Sequence, residues 1–256
     1  MCQPRVGLRL AARITVLFAW SLAATAAAAA TDRQTRLLAL PPDRALSIDL
    51  TIGSVRIEGS DRVDVELLIE RQAPTTEGLA RIPVVIDETP GRVTVRGVQA
   101  DGATDPAFRV DLVVRLPHAA NIERVQVLEG RLSVNQFSGR LSADIRRGPI
   151  EGADLSGTLR LETGIGSIVL NRARLSPTGL LRLRTFNGDV RLALAERPPD
   201  ARILALALNG TIRSDIPLTT KDTWGPRWSE TTLGRGEPVI SLDVVTGTIE
   251  IRSPRP

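Results

Sequence analysis

The chain has little of the chemistry that most enzymes and disulfide-rich exported proteins use. Among 256 residues there is one cysteine (Cys2), one histidine (His118), one methionine and no tyrosine, and aromatic residues make up only 3%. A single histidine excludes a multi-histidine zinc site and leaves any catalytic histidine to His118 alone. His118 directly follows Pro117, in an expected turn, where a plain surface role suffices. After residue 30 there is no apolar run long enough to cross a membrane as a helix and no helical period of normal length. No metal or cofactor motif is present, so no cofactor is expected.

Residues 1–30 read as a cleavable signal peptide. Arg5, Arg9 and Arg13 precede the apolar stretch Ile14–Leu22, and Ala26–Ala30 offers small residues for cleavage before Thr31. Cys2 would leave with it, so the mature chain would have no disulfide and no thiol. The full chain has 33 basic and 29 acidic residues. Losing three arginines brings it close to neutral, so no nucleic-acid partner is expected. The mature chain is expected to be exported, to the periplasm or the cell surface, without a transmembrane span.

What the sequence does have is a glycine period. Gly130, Gly139, Gly148, Gly157 and Gly166 fall at nine-residue intervals, followed by Gly179 and Gly188. Short alternating strands follow most of them: Leu132 and Val134, Leu159 and Leu161, Ile168 and Leu170, Val190 and Leu192. Alternation sends these to one face and Arg131, Ser133, Arg160 and Arg191 to the other. A strand of about five residues cannot bury a core alone, so such units must stack. The expected fold is all-β, a single-stranded β-solenoid of Gly-led strand repeats with a more irregular N-terminal β part. An antiparallel meander with tight hairpins fits the spacing as well.

In order along the chain, residues 31–44 read as a lead-in and 45–256 as one β-repeat domain. Within it, residues 215–238 form a long irregular insertion that either binds a partner or caps the body. That insertion holds Trp224 and Trp228, two of the five aromatic residues beyond the leader. Exposed tryptophan suits carbohydrate stacking or protein contact, and a cap would bury the same residues. Arg160 and Arg182 share an outward position in neighbouring units, with Arg140 and Arg184 close by. Such a stripe could hold anionic polymer or lipid head groups, or could simply be a solvated face that blunts edge pairing. Glu151, Asp154 and Glu162 are the acids a polysaccharide hydrolase would need, if two of them met across a groove. Gly164-Ile165-Gly166-Ser167 lacks the following helix of a phosphate-binding loop and reads as a corner.

Three segments resemble the bacterial DUF4097 proteins, also labelled adhesins: Leu50–Gly59 with its strand-glycine-strand form, the run from Val114-Arg115-Leu116-Pro117 through Asn171, and the ending Asn209–Pro217 with Val245–Ile251. The resemblance implies an exported, repeat-rich β protein of the bacterial envelope and carries over no catalytic residues. The expected function is therefore a non-catalytic envelope protein, structural or adhesive. The alternative is a periplasmic ligand-binding or envelope-stress-sensing module. Expected partners are envelope polysaccharide, lipid head groups or another envelope protein.

Overall fold

Short alternating segments bend at corner glycines and pair with the segments above and below. The computed structural model describes residues 29–100, 104–221 and 226–254, so the leader and Cys2 lie outside the described residues. In chain order the first strands are β1 (Ala30–Leu38), β2 (Ala45–Ser60), β3 (Val65–Ala73), β4 (Val84–Thr89), β5 (Arg92–Gly97) and β6 (Arg109–Pro117). Then come β7 (Asn121–Phe137), β8 (Arg140–Arg147), β9 (Ile150–Leu155), β10 (Thr158–Ile165), β11 (Ile168–Ala173) and β12 (Leu180–Asn187). The last are β13 (Val190–Leu194), β14 (Ala201–Ser214), β15 (Thr219–Lys221), β16 (Arg227–Leu233) and β17 (Val239–Arg252). The stretch 31–44, expected as a lead-in, thus contains most of β1, which pairs antiparallel with β3.

The body is a stack of eight parallel levels, in the order β5/β6, β2, β7, β8/β9, β10/β11, β12/β13, β17 and β14. The first segment of each level lies in one sheet, here the first sheet, and the second segment lies in the second sheet. The long strands β2, β7, β17 and β14 run through both. Antiparallel strands extend the ends: β4 on β5, β3 on β6, β1 on β3, β16 on β14 and β15 on β16. The inner faces of both sheets share one core, in which Leu159, Leu161, Leu181 and Leu183 of the first sheet meet Ile150, Ile168 and Val190 of the second.

This topology overturns the single-stranded β-solenoid expected from the glycine period. Such a solenoid lays its coils down in chain order. Here the chain leaves β13, forms β14 at the far end, and returns with β17 between them. At the other end, β2 sits between β7 and the later β5 and β6. The result is an eight-level parallel β body closed around one core, with extra antiparallel strands. The glycine period marks where corners fall, but stacking order depends on which sheet edges remain open, and the period carries no record of that.

One corner is a column of glycines running Gly53, Gly130, Gly148, Gly166, Gly188, Gly247 and Gly210. Gly148 and Gly166 have φ of 139° and 156°, outside the range an L side chain readily adopts. A Cβ on Gly148 would lie 1.6 Å from the Gly130 carbonyl oxygen, and one on Gly166 would lie 2.1 Å from that of Gly148. The buried hydroxyls of Thr163 and Thr185 donate to the Gly148 and Gly166 carbonyls at 2.8 Å, which satisfies acceptors that the bend leaves over.

Asp111 of β6 fastens the corresponding corner of β2. The backbone N–H and the hydroxyl of Ser54 donate to it at 2.8 and 2.5 Å, and Arg109 adds two further hydrogen bonds. Burial pushes this carboxyl up, but the hydrogen bonds from Arg109 and Ser54 outweigh it and hold the group below the usual carboxylate range. A depressed native pKa contributes stability above the ordinary value of about 3.9, and that contribution fades as pH falls through the native pKa. Asp111→Asn is therefore expected to weaken the fold at pH 7 and to weaken it less at pH 3, as read by urea unfolding at both. An equal loss at both pH values would contradict this.

Candidate functional site

The inward-facing residues of β10 and β12, namely Leu159, Leu161 and Thr163 with Leu181, Leu183 and Thr185, are all buried. Alternation then turns Arg160 and Glu162 outward on β10, and Arg182, Arg184 and Phe186 outward on β12. Arg160 lies in register with Arg182 on one side and Ser142 of β8 on the other. The like charges of Arg160 and Arg182 repel across this pair unless something anionic bridges them.

Around these residues the outer face of the first sheet forms a groove of about 560 Å³, lined by Ser47, Arg92, Arg124, Ser142, Asp144, Arg160, Arg182 and Arg184 among others. A second depression of about 590 Å³ shares Glu123, Ser142 and Arg160 with it and adds Asn121 and Arg140. Small side chains (Ser47, Ser142, Thr158) lie between the arginines. A bulge in β7 helps, because Glu123 and Arg124 together oppose the single Ser142 and both are exposed.

The arginines divide into two groups. Arg92 is held by Glu123 at 2.7 Å, Arg184 by Glu162 at 3.4 Å, and Arg182 more loosely by Asp243 at 3.9 Å. Arg124, Arg140 and Arg160 have no acidic partner among the described residues. Unpaired guanidinium groups spaced along one groove present forked donors suited to carboxylate, sulfate or phosphate oxygens.

The structure therefore brings together Arg140, Arg160, Arg182 and Arg184, and adds Arg92 and Arg124. Trp224 lies outside the described residues. Trp228 lies in β16, opposite Leu206 of β14. Ala201, Ile203, Ala205 and Ala207 of β14 point into the core, so Leu206 and Trp228 face outward on the same side as the arginines. Two features that are far apart in sequence thus share one face.

The three acids do not converge. Glu162 is on the outer face of the first sheet and faces Arg184. Glu151 is on the second sheet, 4.0 Å from Arg131. Asp154 sits at the opposite corner, ion-paired with Arg172, and the hydrogen bond from Arg172 holds its carboxyl below the usual range. Asp154, Arg172 and Gln136 stack at that corner with φ of 55°, 52° and 54°. His118 Nδ1 donates to the Gln136 carbonyl at 2.6 Å, and Gly164–Ser167 forms the turn from β10 into β11. Among the described residues, no three histidine, cysteine or acidic side chains cluster in a way that would hold a metal ion.

No family model matches the chain, and no curated relative matches it. Solved structures do show similarity. A putative cell adhesion protein from Clostridium sporogenes aligns with 88% of this chain and 100% of its own, at 11% identity and a TM-score of 0.49. A putative adhesin from Bacteroides fragilis covers 86% of this chain and 97% of its own, at 10% identity and a TM-score of 0.32. A putative lipid binding protein from Parabacteroides distasonis covers 86% and 96%, at 11% identity and a TM-score of 0.22. Likenesses at this level assign no function. No helix among the described residues is long and apolar enough to cross a membrane.

Proposed function

We propose that this is a non-catalytic, exported binding module of the bacterial envelope, of the DUF4097 adhesin type, that recognises anionic groups through the outer face of its first sheet. The observation that carries this reading is the set of arginines without acidic partners, Arg124, Arg140 and Arg160, in adjoining depressions floored by small side chains. Export rests on the basic and apolar leader pattern of residues 1–30 and on the resemblance of Leu50–Gly59 and Val245–Ile251 to that family. The absence of a catalytic step is supported by the scattering of Glu151, Asp154 and Glu162, each of which faces an arginine.

Retention on immobilised dextran sulfate, compared with neutral dextran, tests this reading. The protein is expected to bind the sulfated support and to elute as salt rises, because exposed charges are screened. Removing two charge-assisted contacts, at about 1.5–3 kcal/mol each when fully formed, should weaken binding at least about tenfold in Arg140→Gln/Arg160→Gln. Equal retention on both supports, or an unchanged variant, would contradict the assignment.

A further inference from the structure

The arginine groove does not end in polar surface. Phe186 is 63% exposed and Leu208 is 47% exposed, although both are large apolar residues whose flanking inward neighbours, Leu183 and Thr185 on β12 and Ala205 and Ala207 on β14, are buried. The registers Thr185↔Val244 and Ala207↔Val244 place Val245 between them, one strand from each. Leu206 and its partner Trp228, both half-buried, border the strip on β14 and β16. Phe186 is also two residues from Arg184 and four from Arg182 on the same face of β12, a step of about 6.6 Å each time. Cationic groove and apolar strip are therefore one continuous surface.

We infer that this surface docks onto an anionic lipid surface, with the arginines on head-group phosphates and Phe186 and Leu208 at the acyl boundary. The inference rests on the reading of the groove as an anion-binding face and adds what that face meets. A soluble anionic polysaccharide would engage the arginines and leave the apolar strip in water. A lipid leaflet engages both, since guanidinium forks match phosphate oxygens and interfacial binding grows with the apolar area inserted. Phenylalanine and leucine beside basic residues are side chains that this boundary favours. Contiguous exposed apolar patches rimmed by charge mark contact surfaces on otherwise polar proteins.

Co-sedimentation with vesicles separates the possibilities. Phosphatidylcholine vesicles with and without phosphatidylglycerol would be compared with dextran sulfate beads, using the wild type, Phe186→Ser/Leu208→Ser and Arg140→Gln/Arg160→Gln. All four positions are exposed or open to solvent, and circular dichroism checks that each variant folds. The wild type is expected to sediment only with phosphatidylglycerol vesicles. The apolar variant should lose at least tenfold in vesicle partition yet keep its hold on dextran sulfate, and the arginine variant should lose both. Bead binding without vesicle binding, or an apolar variant that partitions as the wild type does, overturns the lipid inference and leaves the anion reading standing, with a polysaccharide as the partner. An arginine variant that is unchanged on both, or a wild type that binds neither, overturns both readings.

Discussion

Alanine at Gly148 is expected to cost about 3–5 kcal/mol of stability, a large share of what a domain holds. The backbone strain of an L side chain at this φ amounts to about 1–3 kcal/mol, and forcing atoms into a filled space adds a similar amount. The added methyl would stand 1.6 Å from a backbone oxygen that itself belongs to the column, so relief means parting two levels. Whole domains hold only about 5–15 kcal/mol in reserve. Gly91, in the turn between β4 and β5, is the matched control, since an added Cβ there meets nothing within 4 Å. Urea unfolding should place Gly91→Ala within about 0.5 kcal/mol of wild type. A Gly148→Ala variant as stable as Gly91→Ala would mean that the levels are not stacked on this column.

The second large effect contrasts two phenylalanines. Phe137 ends β7 at 0% exposure, against Leu155 of β9 in register, and is among the largest fully buried side chains. Phe137→Ala should cost about 3–5 kcal/mol, combining lost burial with the cavity left behind. Phe186→Ala, at 63% exposure, should change stability by less than about 0.5 kcal/mol. If Phe186 proved as costly as Phe137, it would be part of the core rather than of a contact surface, and the strip beside the groove would lose its meaning.

The glycine corners are legible in the sequence because a Cβ there would run into the level below, so they leave a mark at a nearly regular interval, whereas the corner built from Gln136, Asp154 and Arg172 carries no glycine and leaves none. The alternation of Leu159, Leu161, Leu181 and Leu183 likewise shows which side of each strand is buried, and with it the outward arginines at 160, 182 and 184. Stacking order is not legible. β17 enters between β13 and β14, and β2 beside β7, through pairings between distant segments with no local signature. The site divides in the same way. Arg124 reaches the groove only because a bulge puts Glu123 and Arg124 opposite one residue. Trp228 joins the face only because β16 folds back antiparallel on β14, an arrangement that the polar and proline-containing insertion does not announce.

The central claim, that anionic groups bind the outer face of the first sheet, is tested most directly by arginine footprinting. Phenylglyoxal labelling read by mass spectrometry, with and without dextran sulfate, reports each guanidinium separately. Arg124, Arg140 and Arg160 should be protected, whereas Arg213, on the outer face of the second sheet beside Glu250, should label as before. Protection of Arg213 equal to that of the three groove arginines, or no protection at the groove, would contradict the account.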